Sequence, residues 1–461
     1  MTDRTSQETY RFHDGYPSPD GAERARADAD EQRAITAYRF WYPTVSAEGI
    51  FNGNRELGLA DNKAFGIAAA GPRQVGFTLN SDTPYGAAAL DLSTGPMVIE
   101  LPAGPYIGLL DDHHQRWITD MGIPGPDGGH GGTYVVTPPD FDGEVPAGAH
   151  VARAGSTIVL LALRALPLQG DIDRAMAALR AVRVYPLGSS DQPLEIVDTT
   201  DRAMDSTCLR WEDNLEFWRI LHRILDAEPL VAEFAPMYGL LADLGIERGK
   251  DFAPDARTAT LLTRAARRGR DQMLVTAFAS VRPDRISWPD RRWEWVGLVD
   301  DNGDFRTESG FDLDARDRWF IQAIIASPAM FRRQVGNGSL YWLGLRDRDG
   351  AFLDGGASYT LDIPQPVPCS LFWSITIYDA ATRSQTQTAQ DKAALRSLFE
   401  LRDIPADQPL RLHFGPECPE DQADRWLRTE PGHGWFAYLR IYGPEQAAFD
   451  GSWKPGDFER I

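Results

Sequence analysis

The chain has 461 residues, more than the roughly 250–300 at which one hydrophobic core stops growing, so two or three packed units are expected. Its 43% hydrophobic and 25% charged residues match a folded globular protein and exclude wholesale disorder. A formal net charge of −20 repels nucleic-acid phosphates and anionic lipid from most of the exterior, so the expected partner is a neutral or cationic small molecule, with no nucleic acid and no membrane.

In chain order, Met1 to Asp30 carries charges throughout and lacks the apolar stretch of a secretion signal. No later apolar run approaches the ~20 residues that cross a bilayer, and the expected location is cytoplasmic. Residues 20–42 predict a helix with Ile35, Tyr38, Arg39 and Tyr42 on one face, ended by Pro43. From Gln74 to Leu166 the pattern turns to short strands: Val75–Leu79, Ala87–Leu92, Met97–Leu101, Tyr106–Leu110, Thr133–Thr137 and Thr157–Leu163. Gly, Pro, Asn and Asp clusters separate them at the spacing of an all-β sandwich.

Residues from Asp171 to about Ser280 read as mainly helical, with helices over Asp171–Arg183 and Asn214–Asp226. His222 on the second helix reads as a hydrogen-bonded core histidine rather than a ligand. A hairpin follows, from Trp295–Val299 to Phe305 around Asp301-Asn302-Gly303, then a helix over Asp314–Gln334. Strands resume at Leu340–Leu345, Ser358–Ile363, Ser370–Tyr378, Leu410–Phe414 and Trp435–Tyr442. The expected fold is mainly β with α insertions: two β-sandwich or jelly-roll-like modules joined by a helical segment. The expected units are a helical lead-in (1–60), a first β module (61–170), a helical connection with short hairpins (171–334) and a second β module (335–461).

Three constellations could carry chemistry. Asn80-Ser81-Asp82-Thr83-Pro84-Tyr85 lies between two strands, where Asp82 suits an acid or base and Tyr85 a proton donor or oxyanion partner. Asn80 and Thr83 are candidate substrate contacts beside them. The same residues also make an Asx turn that locks a sandwich corner. Next, Asp111-Asp112-His113-His114 follows a strand; if the strand continues, Asp111 and His113 share one face, and a carboxylate beside an imidazole is what a general base needs. A metal reading would recruit His130, from the glycine-rich 128–132 loop, to the Asp and His residues of this segment (His114 among them), but no H-x-H or H-E-x-x-H spacing supports it, and no metal is expected.

The third is Leu371-Phe372-Trp373-Ser374-Ile375-Thr376-Ile377-Tyr378-Asp379, which alternates strictly. Phe372, Ser374, Thr376 and Tyr378 point one way, and Leu371, Trp373, Ile375 and Ile377 point into a core. Ser374, Thr376, Tyr378 and Arg440 are candidate substrate contacts, and Trp373 is taken with them as an aromatic neighbour.

These segments resemble the DUF1254/DUF1214 two-module family. Tyr38-Arg39-Phe40-Trp41-Tyr42-Pro43 and Asn80-Ser81-Asp82-Thr83-Pro84-Tyr85 resemble the first module's motifs, and Phe372 to Asp379 with Arg440-Ile441-Tyr442-Gly443-Pro444 resembles the second's. The likeness covers about 35–185 and 335–461 and implies an architecture without a reaction. Relatives often begin with an export signal and carry an Asn-Trp-Leu-Pro stretch where this chain has Asp424-Arg425-Trp426-Leu427-Arg428, so a different substrate is expected.

No dinucleotide fingerprint, P-loop or nucleophile elbow is found, so no cofactor is expected. Three scattered cysteines form no disulfide framework. The expected function is a small-molecule enzyme of the hydrolase, lyase or isomerase type, using acid–base chemistry in a pocket between the β modules. Asp82 and Tyr85 would handle protons, Asp111 or Asp112 with His113 would assist, and Arg440 would hold an oxyanion. The rivals are a non-catalytic carbohydrate- or lipid-binding protein and a metal-dependent hydrolase.

Overall fold

The computed structural model describes residues 10–299, 303–336, 338–405 and 408–461. Two β-sandwiches account for most of the sheet. The first packs a six-stranded sheet, built on Tyr85–Asp91, Ile158–Ala165, Tyr106–Asp112 and Trp117–Gly122, against a four-stranded sheet that includes Met97–Leu101 and Gly132–Thr137. Leu90, Leu110 and Leu161 from the larger sheet meet Ile99, Tyr134 and Val136 from the smaller one in a single apolar core. This module draws in Arg183–Pro186 and Glu195–Asp198 as strands, beyond the boundary expected at residue 170.

The second sandwich packs a five-stranded sheet, centred on Ser339–Gly344, Trp435–Pro444 and Cys369–Asp379, on a four-stranded sheet containing Tyr359–Ile363 and Leu410–Gly415. Its core takes Trp373, Ile375 and Ile377 on one strand and Leu439 and Ile441 on the next, as the alternation requires. The opposite face of the same sheet, with Tyr341, Tyr378, Phe436 and Tyr438, is covered by helices. Among them are Pro19–Glu56, Leu215–Ala227, Ala256–Phe278 and Leu313–Phe320.

Two expected helix ends moved. The first helix runs from Pro19 to Glu56 straight through Pro43. Phe40 to Asn54 is almost wholly buried, so packing on all sides outweighs the lost amide hydrogen bond, and Arg316 takes the Phe40 carbonyl (2.7 Å) at the turn the proline weakens. The helix expected over 314–334 is two short ones, Leu313–Phe320 and Pro328–Phe331. Between them Ile325 takes φ +58°, held by the Trp319 indole on its carbonyl (2.9 Å) and by the Gln115 side chain on its amide (2.6 Å). The expected hairpin also changes: Glu294–Trp295 pairs with Leu343 and Trp342, while its turn residues 301 and 302 lie outside the described residues.

Candidate functional site

The two modules meet across the outer faces of their larger sheets, and register fixes what meets. On the second module Arg440 is paired with Tyr341 on one neighbouring strand and with Ser374 on the other. Tyr442 is flanked likewise by Ser339 and Phe372, and Tyr438 by Leu343 and Thr376. On the first module Arg164 is the cross-strand partner of Tyr85. Between these faces lies a hollow of about 150 Å³, walled by Tyr85, Arg164, Tyr341, Tyr438 and Arg440 at its polar end. Ile50, Phe77, Leu79, Leu160 and Trp319 make the apolar remainder.

Arg440 is 2% exposed. Its Nη2 donates to the Thr78 carbonyl (3.0 Å), while Nε and Nη1 have no hydrogen-bond partner among the described residues. Burial opposes its charge, but Tyr378, Tyr442 and Asp82 around it outweigh that and keep it firmly protonated. Its guanidinium also lies over the Tyr438 ring, 4.9 Å from the centroid. Arg164 is held protonated in the same way, against burial, by Tyr341, Tyr85 and Tyr442.

Thr78 pins the first module's loop to this wall. Its φ of +46° is unusual for a β-branched residue. The turned carbonyl accepts from Arg440 and from the Tyr378 hydroxyl (3.2 Å), and its amide donates to the Arg383 carbonyl (2.8 Å).

The predicted corner divides. Asn80 and Tyr85 line the hollow. Asp82 and Thr83 are buried behind that wall, with Asn80 accepting from the Asp82 amide (2.9 Å) as the Asx turn requires. Asp82 Oδ2 accepts from the Ser374 hydroxyl (2.7 Å) and from the Tyr442 hydroxyl (3.1 Å), so it joins the predicted strand face from the rear. Thr376 is fully buried, with its hydroxyl unpartnered. Burial pushes the pKa of Tyr85, Tyr378 and Tyr438 up, which leaves them as donors and not as bases. Trp373 faces the opposite way, in the second module's core, because alternation sends it there.

The Asp-Asp-His-His segment does not form the expected dyad. The strand ends at Asp112 and the chain turns through Gln115, so the alternation on which Asp111 and His113 would share a face stops. Asp111 is fully buried, accepts from the Ala326 amide (2.9 Å), and is pushed well up in pKa, chiefly by burial. It holds the 325–326 turn that walls the hollow. Asp112 is engaged by Arg116 (2.7 Å).

His113 lies instead between Glu228 (2.9 Å) and Glu48 (3.4 Å). Burial opposes its proton, but these two carboxylates raise its pKa. His114 is buried against Trp41 and Phe234, its pKa lowered to about 3 by burial, and bonds Thr44 (3.0 Å). His130 is exposed, and His222 is satisfied by the Lys250 carbonyl (2.8 Å). No group of three or more metal-ligating side chains occurs among the described residues.

A second hollow, of about 140 Å³, backs onto the first and shares Tyr85, Arg164, Ala162, Ile325 and Met330 with it. Its wall carries Asp120, 6% exposed, whose pKa burial raises to about 6 against hydrogen bonds from Ser327 and the Ala329 amide. Sequence reasoning missed Asp120, Arg164, Tyr341 and Tyr438. A single arginine inside the apolar run Ile158–Ala165 was the available signal. The Arg440 hollow carries two guanidinium groups and, among the described residues, no carboxylate, the reverse of the exterior's balance.

Comparison with known proteins agrees with this two-module arrangement. Residues 65–186 match the model "Protein of unknown function (DUF1254)", and residues 338–446 match "Protein of unknown function (DUF1214)", together spanning half of the chain. The chain belongs to the DUF1254/DUF1214 family. No curated protein matches it. Among solved structures, the VPA0106 protein from Vibrio parahaemolyticus overlays with a TM-score of 0.59 at 17% identity, covering 94% of this chain and 100% of that one, which shows a shared fold. A putative uncharacterized protein from Burkholderia cenocepacia overlays with a TM-score of 0.40 at 12% identity, covering 96% and 97%. In this DUF1254/DUF1214 protein no helix among the described residues is long and apolar enough to cross a membrane.

Proposed function

We propose that the inter-module hollow is the site of a small-molecule enzyme performing acid–base chemistry on a compound with an apolar body and a carboxylate or carbonyl head. The observation that carries this reading is Arg440, buried in the wall with Nε and Nη1 unpartnered. A buried donor without a partner costs about 1–3 kcal/mol, and a ligand oxygen would recover that beside the apolar side of the hollow. Tyr85 serves as a donor to the same oxygen. Asp82 acts from behind, balancing Arg440 and orienting Tyr442 and Ser374. Hydrolysis, elimination and rearrangement all place negative charge on such an oxygen.

A second reading, a binding protein without catalysis, is favoured by one observation: no carboxylate or imidazole lines the Arg440 hollow. Thermal-shift screening of aliphatic and aromatic carboxylates against their primary amides separates binding from none. NMR of each hit over time then separates catalysis from storage. Carboxylates should stabilise the wild type and not an Arg440→Met variant, and at least one should be converted. Amides binding as well as carboxylates would overturn the reading.

A further inference from the structure

Resting on that reading, we propose that Asp120 is the proton-transfer residue of the chamber and that the substrate class is an α-keto acid with a branched or aromatic body. Three observations lead there.

First, among the described residues that line either hollow, Asp120 is the one carboxylate, and no imidazole accompanies it. Tyr85 and Tyr438 are held protonated by burial, and arginines cannot act as bases. Acid–base chemistry near neutral pH therefore has a single candidate. Asp82, Asp111, Asp112 and His113 are all engaged behind the walls.

Second, Arg164 and Tyr85 line both hollows, so an oxygen held by them is approached from the Arg440 side and from the Asp120 side. Two guanidinium groups in one hollow match two adjacent oxygen functions, a carboxylate and a neighbouring carbonyl. Ile50, Phe77, Leu79, Leu160 and Trp319 give the same wall an apolar side that suits an aliphatic or aromatic body.

Third, a carboxyl group titrating near the working pH is matched to proton shuttling, and Asp120 is pushed to about 6. The groups that act on it are the Ser327 and Trp117 side chains, the Ala329 amide and Arg332, with Asp111 on the adjacent strand and Tyr134 in the facing sheet.

The step is a proton abstraction beside the carbonyl. The Asp120 carboxylate takes a proton from the carbon next to it, the C–H electron pair becomes a C=C bond, and the carbonyl pair moves onto oxygen, where Arg164 and Tyr85 stabilise the enolate. The proton rests on Asp120 and returns to the substrate, so nothing is oxidised or reduced.

The test uses α-ketoisocaproate, with isovalerate as a carboxylate lacking the acidifying carbonyl. Thermal shift reports binding, and NMR in D₂O reports exchange of the hydrogens beside the carbonyl. Wild-type protein should bind both and accelerate exchange only in the keto acid, with a pH profile that inflects near 6. Asp120→Asn should keep binding and lose exchange by about a hundred-fold or more, and Asp120→Glu should restore part of it. Exchange unchanged in Asp120→Asn, or no exchange in a bound keto acid, overturns the assignment and leaves the binding reading standing. Failure of both acids to bind overturns that reading itself.

Discussion

The Ser374 hydroxyl donates to Asp82 Oδ2 at 2.7 Å, joining residues 292 positions apart and tying one sandwich to the other. Because Tyr442 donates to the same oxygen, the carboxylate is the fixed point of the inter-module contact. Ser374→Ala removes one of the two hydroxyl donors to Asp82 Oδ2 and should lower stability by about 1–3 kcal/mol, read as a lower urea midpoint. An unchanged midpoint would mean that the modules do not depend on this tie.

Arg383 Nη2 donates to both carboxylate oxygens of Glu212 (2.8 and 2.9 Å), with Arg383 fully buried and the Tyr42 hydroxyl on the same carboxylate (2.8 Å). Arg383→Met strands a buried carboxylate and should cost about 3–5 kcal/mol in chemical unfolding. Adding Glu212→Gln should recover a good part of that, because the uncompensated charge is gone.

His113, Glu48 and Glu228 predict a pH signature. The raised pKa of His113 gives stabilisation that is complete below 6.5 and is lost as pH climbs through its higher folded value. The lowered carboxyls of Glu48 and Glu228 contribute fully above 4.5 and lose that contribution as pH drops through their folded values. The Tm gap between wild type and His113→Gln should therefore be widest between 4.5 and 6.5 and narrow on the alkaline side. A gap that widens with alkaline pH would contradict the charged-imidazole geometry.

Asp120 follows the sign of His113 and runs against that of Glu48 and Glu228. With its pKa raised from 3.8 to about 6, the folded state is favoured by the protonated form below 3.8 and loses that benefit as pH rises through 6. The separation corresponds to roughly 3 kcal/mol as an upper bound. Asp120→Asn should therefore be more stable than wild type at about pH 8 and indistinguishable at about pH 3 in paired urea titrations. Stability that costs nothing at pH 8 would place the carboxyl in a wetter setting than its burial implies.

Much of this was legible in the residues. Strict alternation from Phe372 to Tyr378 identified the face that the second module turns outward, and the structure puts Ser374, Thr376 and Tyr378 on it. The Asn80–Tyr85 corner was legible as a turn against that face, but its finer geometry was not. Whether Asp82 or Tyr85 looks into the hollow depends on packing against a strand nearly 300 positions away. Alternation also misled at Asp111–His114, where a turn at Gln115 with φ +54° ends the strand. Asp120 gave no local signal, because its burial comes from the segment around Ser327 and Ala329 and is invisible to any short window of sequence. Net charge describes the exterior, at −20, and not the hollow, which two arginines line.

The most direct measurement is a crystal structure of the protein soaked with α-ketoisocaproate. The carboxylate should lie within hydrogen-bond distance of Arg440 Nε and Nη1, with the aliphatic body against Phe77 and Trp319. Density for the acid on the outer surface alone, with the space beside Arg440 closed by protein side chains, would contradict the account.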